Sequence, residues 1–235
     1  ATLELWRTRG EAADAAQDSA ARITAWAKVA NAAQNDWRAW ANLASALTSQ
    51  LRWVEAIEAL NNAMRITPSE ASLRWTLAGA LASAERHEEA LAALDELDRL
   101  GGETAESALA RGRCLLAMMR FDDAETAYWK AVRLSAGNAD AVRELGLLLE
   151  RTSRLDSLVE LLDQASAAGI PDDRLAHLHA VKAFRDGDAE QAYALLGSVD
   201  PAVDPAGWER TQAKVADRIG KADEAFAAAE EVNRL

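Results

Sequence analysis

The sequence predicts an all-α protein, an α-solenoid of about seven antiparallel helical hairpins. Three observations predict it. The first is composition. Alanine supplies 55 of 235 residues, and alanine is the strongest helix former while adding little bulk. Aromatic residues make up only 6%, with four prolines and twelve glycines. A β-sandwich or barrel needs more β-branched, aromatic and turn residues than that. The second is an internal repeat of 34 residues that holds its frame over five consecutive copies. The third is a 3.6-residue apolar period in each half of each copy, the signature of paired helices rather than strands.

Each repeat places two helices along the chain. Residues 1–36 form a degenerate first repeat, marked by Trp6, Gly10, Ala13, Trp26 and Val29. Residues 37–205 hold the five regular ones. The second repeat reads Trp40-x-x-Leu43-Ala44-x-x-Leu47, then Ala56, Leu60, Ala63 and Pro68, with helices expected over 37–49 and 53–66. The third carries Leu77, Ala78, Leu81, Ala90, Leu94 and Leu97. The fourth carries Gly112, Leu115, Ala124, Tyr128 and Ala131. The fifth has Val142, Leu145, Gly146, Leu149, Leu158 and Leu162, and the sixth Ala176, Ala180, Ala183, Ala192 and Leu196. Residues 206–235 form a last, capping repeat shifted by one residue, with Ala213, Ala216, Gly220, Ala225, Ala229 and Val232. Small residues let two helix backbones approach, and large ones fill the space between them. Pro68 lacks an N–H and cannot continue its helix. Gly101-Gly102, Gly137-Asn138 and Gly169-Ile170-Pro171 break the chain in the same way. One hairpin cannot bury both faces, so the repeats stack into a single domain over 1–235. The stretch 198–207 reads as a longer connection before the final hairpin. Arg111 and His179 stand where apolar residues are expected, and Leu158 where a small one is.

This pattern resembles the tetratricopeptide repeat (TPR) family: apolar, apolar-small and apolar places in the first helix, then small, large and small in the second, with a closing proline. The resemblance is firm over 37–205. It implies a right-handed α-solenoid whose concave groove binds proteins or peptides, lined by repeat places 2, 5, 9, 12 and 13 of the first helices.

Other functional classes find little support. Phosphate-binding loops, dinucleotide fingerprints, zincin motifs and nucleophile elbows are missing from the sequence. The single cysteine, Cys114, precludes an internal disulfide and reads as a buried thiol. His177 and His179 point roughly 200° apart on a helix and cannot share an ion. No metal or cofactor is expected. The net charge of −12 and pI near 4.8 disfavour nucleic acid. No apolar run is long enough to span a membrane and no signal peptide opens the sequence, which points to the cytoplasm; the start at Ala1 without methionine keeps the periplasm open.

Carrying the groove places over gives 30 positions with nine Lys/Arg and four Asp/Glu, a net positive face on a chain of net −12. Seven of the nine cations fall in the last three repeats. The candidate groove residues are Trp75, Arg113, Arg143, Arg151, Arg174, His177, Arg185, Arg210 and Lys214. Arginine dominates, which suits bidentate contact with carboxylates. These arginines either hold an acidic peptide or free C-terminus, or pair with Asp140, Glu150 and Asp217 of their own face. Trp75 has Gly79 one turn later, leaving a gap for an apolar side chain, or else it packs across a seam between hairpins. Trp40 and Trp53 read as core. Trp6, Trp26 and Trp37 are either core or an apolar patch for self-association, and Trp129 is a weaker interface candidate.

The leading expectation is a non-catalytic protein-interaction scaffold. The alternative is the TPR half of a bacterial sulfotransferase, because the stretch from Gly220 to Asn233-Arg234-Leu235 resembles the last hairpin before that catalytic domain. An envelope assembly factor is a third reading. The acidic last helix, with Asp223, Glu224, Glu230, Glu231 and Arg234, is expected to cap the stack.

Overall fold

The computed structural model describes residues 2–199 and 205–232, and among them every regular element is helical. Fourteen α-helices follow in sequence: α1 Leu3–Ala15, α2 Ser19–Ala32, α3 Trp37–Thr48, α4 Trp53–Ile66, α5 Ala71–Ser83, α6 His87–Gly101, α7 Ala105–Ala117, α8 Phe121–Leu134, α9 Ala139–Arg151, α10 Leu155–Ala167, α11 Ala176–Arg185, α12 Ala189–Leu196, α13 Pro205–Arg218 and α14 Ala222–Val232. The second repeat occupies its expected span to within a residue. The chain divides into two compact units, Ala1–Arg120 and Phe121–Leu235.

Several helix starts are fixed by side chains that accept the first free backbone N–H groups. Asp18, Asp36, Asn138 and Asp188 do so for α2, α3, α9 and α12. Thr104 and Ser107 form a reciprocal capping box on α7. Each such cap contributes about 1 kcal/mol.

The turn between first and second helices repeats more faithfully than any side-chain pattern. A left-handed residue stands at Gln17, Leu51, Glu85, Met119, Ser153 and Gly187, six places spaced by 34, and then at Gly220 after a one-residue shift. The next residue's N–H returns to a carbonyl five residues earlier: Asp18 to Ala13, Arg52 to Leu47, Arg86 to Leu81, Arg120 to Leu115, Arg154 to Leu149, Asp188 to Ala183 and Lys221 to Ala216, at 2.8–3.0 Å. This is the Schellman closure, which satisfies carbonyls that a helix end leaves open. The first repeat is therefore degenerate in side chains but in frame in its backbone.

In unit 1, α1/α2, α3/α4 and α5/α6 form antiparallel hairpins with α7 following. Trp26, Val29, Leu43, Leu47, Leu60, Leu73, Leu81 and Leu94 are buried in one core with alanines at the close approaches. A Cβ on Gly10 would lie 2.7 Å from the Trp26 ring, so the small residue is what lets this indole pack. Trp26 is thus core, and its Nε1 donates to Asp14 at 3.1 Å. Trp6 and Trp37 are half-buried, with Arg9 and Arg38 stacked on their rings. Trp40 and Trp53, expected in the core, are only half-buried: Trp40 turns its Nε1 to the Gln34 carbonyl and Trp53 lines a cavity. Arg111 accounts for its apolar place by bonding Asp95 at 2.7 Å and Asp98 at 2.8 Å.

In unit 2, Leu145, Leu149, Leu158, Leu161 and Leu178 are fully buried. Gly146 lets α11 approach α9, because a Cβ there would run into Leu178. Two expectations need correction here. The first helix of the sixth repeat is shortened because the chain passes from the extended Pro171 through a 3-10 turn, Asp172–Leu175, before α11 begins at Ala176; Arg174 lies on that turn and not on an α-helix. The connection expected over 198–207 is shorter, because α13 already begins at Pro205, a residue preorganised for a first helical turn. Asp200–Asp204 lie outside the described residues. So do Asn233, Arg234 and Leu235 of the sulfotransferase-like stretch, and the side chains of Ala229, Glu231 and Val232.

Candidate functional site

The first helices of each unit line a concavity, and the two differ in chemistry. In unit 1 a cavity of about 770 Å³ is bounded by α3, α5 and α7, with its base reaching α4 and α6. Trp75, Gly79, Ala82, Leu109, Ala110, Trp53 and Leu94 line it, together with Thr48, Thr76 and Ser83. Its charged residues are Glu106 and Arg113, of opposite sign. Trp75 is 43% exposed, large for an indole. Gly79 sits inside α5, and a Cβ there would meet nothing within 4 Å. A mid-helix glycine costs about 1 kcal/mol against alanine. Packing explains Gly10 and Gly146; it does not explain Gly79. Cys114 also lines the cavity, buried, with its thiol pushed up by that burial and partly offset by the Arg111 charge. Such a thiol is poorly ionised and not a nucleophile.

In unit 2 a cavity of about 400 Å³ lies between α9, the 3-10 turn, α11 and the start of α13. Arg143, Arg174 and His177 line it with Asp140 and Asp173; Leu147, Leu175, Val199 and Trp208 form apolar wall. The Trp208 Nε1 donates to the Leu196 carbonyl at 3.2 Å. Arg143 stands 3.3 Å from Glu144 and 3.7 Å from Asp140, so part of the intraface pairing raised by the sequence is present. Arg174 is exposed and has no side-chain partner among the described residues.

His177 is buried beneath this cavity. Its Nε2 is 3.2 Å from the Thr211 hydroxyl and 3.7 Å from Glu150, and the hydroxyl donates to Glu150 at 3.4 Å. The set has the composition of a nucleophile relay but not its geometry. Hydroxyl and carboxylate crowd the same ring nitrogen, whereas a relay needs them on opposite ones. The cluster ties α9, α11 and α13 together.

The structure therefore brings Arg143, Arg174 and His177 together, and separately Trp75 and Arg113. Arg151 ends α9 with its guanidinium 4.8 Å from the centre of the Phe121 ring. Arg185 ends α11 and bonds Asp156 at 2.5 Å. Lys214 is exposed on α13 and lines neither cavity. The Arg210 side chain lies outside the described residues. Sequence reasoning missed Trp208, whose place is obscured by the shifted last repeat. It also missed the arginines at 52, 86, 120 and 154, a 34-residue series visible in the sequence; Arg52 and Arg86 bond Glu55 and Glu89 at 2.6–2.7 Å, and Arg154 bonds Asp122 and Glu125.

Among the described residues no group of side chains could hold a metal ion, and no helix is long and apolar enough to cross a membrane.

No family model matches the chain, and no curated protein does. Solved structures do. A tetratricopeptide repeat protein from Parabacteroides merdae superposes with a TM-score of 0.73 at 15% identity, over 99% of this chain and 92% of that one. PilF of Pseudomonas aeruginosa gives 0.69 at 18% identity, over 90% and 97%. YrrB, described as a TPR protein with an unusual peptide-binding site, gives 0.56 at 16% identity, over 87% and 97%. At these identities the likeness is one of fold. With its 34-residue series of Schellman turns and its helices alone, the chain has the fold of the tetratricopeptide-repeat proteins, an all-α solenoid of helical hairpins.

Proposed function

We propose that the chain is a non-catalytic scaffold that binds an acidic segment of another protein, with a carboxylate seated between Arg143 and Arg174. The observation that carries this reading is Arg174. Among the described residues it is a cation without a side-chain partner, and it lines with Arg143 a cavity that has an apolar wall. An exposed guanidinium in a concave wall attracts anions and presents two parallel donors to a carboxylate. Asp140 and Asp173 share the rim, so the site discriminates: a ligand carboxylate has to meet the guanidinium pair and avoid those two. Arg143 keeps its 3.3 Å contact with Glu144, and a ligand carboxylate displaces the longer, 3.7 Å contact with Asp140. The fold supports the same reading, since YrrB, which shares it, is a TPR protein with an unusual peptide-binding site.

The test uses a fluorescein-labelled acetyl-Glu-Asp-Leu-Glu-Asp-amide and its Gln/Asn counterpart. The acidic peptide binds, its affinity falls at least tenfold between low and high salt as the charges are screened, and the neutral counterpart does not bind. Equal affinity for both peptides overturns the reading.

A further inference from the structure

We infer that the cavity of unit 1 is a separate docking site for an uncharged, apolar peptide segment that inserts a bulky aromatic or branched side chain between Trp75 and Gly79. The inference goes beyond the acidic-segment reading of unit 2 and stands or falls independently of it.

Gly79 is a glycine that the fold does not need. Gly79 lies in the interior of α5, with no positive backbone angle and open space where a side chain would be. Alanine would favour the helix. What glycine does there is keep the floor of the cavity flat beside the exposed Trp75 ring. Volume sets the scale of the occupant. About 770 Å³ is the size of sites that enclose a ligand of several rings or a few side chains. One inserted side chain does not fill it, so the occupant brings two or three apolar groups, as a short stretch of peptide does. Charge sets its character. The lining offers one anion, Glu106, one cation, Arg113, and the His87 imidazole with a buried, unbonded Nδ1 that a backbone N–H or hydroxyl can meet; the remainder is hydroxyls, methyls and indole. A charged segment gains nothing from such a rim and loses hydration on entering. A neutral segment matches it. Trp75 supplies a flat face against which an aromatic or branched side chain packs, with its backbone left to the hydroxyls around it.

The experiment follows the full ¹⁵N-labelled chain by NMR during titration with acetyl-Ala-Leu-Phe-Leu-Ala-amide. The Gly79 and Thr76 amides and the Trp75 indole N–H shift in a saturable manner, and acetyl-Ala-Ala-Ala-Ala-Ala-amide leaves them in place. Gly79→Leu, which fills the floor, weakens binding at least tenfold while the melting temperature stays level or rises. That pairing separates occlusion from unfolding. Trp75→Ala, at an exposed position, gives the second arm and weakens binding as well even if Gly79→Leu does not fold. The inference is overturned by absence of shifts at millimolar peptide, by undiminished binding to Gly79→Leu or Trp75→Ala, by stronger binding of acetyl-Glu-Leu-Phe-Glu-Ala-amide, or by free indole binding there while the pentapeptide does not.

Discussion

The two units solve the same geometric problem with different side chains. Each lines a concavity with first helices. In unit 1 the lining is tryptophan, alanine, glycine and hydroxyls; in unit 2 it is arginine, aspartate and a buried histidine over an apolar wall. Their turns differ too. Unit 1 places Gln17, Leu51, Glu85 and Met119 in the left-handed turn conformation, whereas unit 2 uses Ser153 and then Gly187 and Gly220. The backbone repeat thus determines where a cavity forms, and the residues at the variable places determine what it accepts.

The same glycine-to-alanine change acts with opposite sign in the two units. The largest effect is expected at Gly146 in unit 2. Gly146→Ala drives a methyl into Leu178 and lowers unfolding free energy by about 2 kcal/mol in urea titrations. Thr211→Val removes the hydroxyl between His177 and Glu150 and lowers stability by about 1–2 kcal/mol, since both partners are left short of a bond. Gly79→Ala in unit 1 does the reverse of Gly146→Ala and adds about 1 kcal/mol. The turns invert as well: Gly187→Ala forces a side chain into the left-handed region and lowers stability by about 1 kcal/mol, while Met119→Gly relieves the same conformation and adds about 0.5 kcal/mol. If Gly79→Ala and Gly146→Ala moved stability in the same direction, the distinction between an open and a packed glycine would collapse.

The smallest effect concerns acid. In unit 1 the hydrogen bonds from Arg52 and Arg86 hold the Glu55 and Glu89 carboxyls below the ordinary value of 4.5. A depressed carboxyl contributes stability above its ordinary value and loses it as pH falls through the folded one. Both pairs are fully exposed and screened by salt. Thermal melts therefore show a slight loss below pH 4.5, smaller in Arg52→Ala plus Arg86→Ala and smaller in high salt.

Much of the fold was legible in the sequence, because a solenoid writes its contacts locally. Ala44, Leu60 and Ala63 occupy places dictated by their own hairpin and its neighbour, so a 34-residue shift finds them. The failures share a cause. Arg174 holds place 2 of its repeat and is therefore expected on the first helix, but the chain enters that helix through the 3-10 turn Asp172–Leu175, which the 34-residue period does not encode. Trp40 is expected in the core from its place in the repeat signature; it does pack against the core but stays half-buried, because it lies in the first turn of α3 and turns its Nε1 to the Gln34 carbonyl, and Trp53, first in α4, is half-buried as well. Trp208 escaped notice because its repeat is out of frame. Pairing was the least legible feature. That Arg185 meets Asp156, and that Arg174 meets no side chain among the described residues, depends on distances between helices which periodicity does not encode.

The central claim is that unit 2 selects an acidic segment through Arg143 and Arg174. Fluorescence anisotropy of the labelled acidic peptide against Arg143→Glu plus Arg174→Glu tests it most directly, with circular dichroism to confirm equal helicity. Binding falls at least a hundredfold in the double variant, while Gly79→Leu binds the same peptide as the parent chain does; undiminished affinity in the folded double variant overturns the acidic-segment reading.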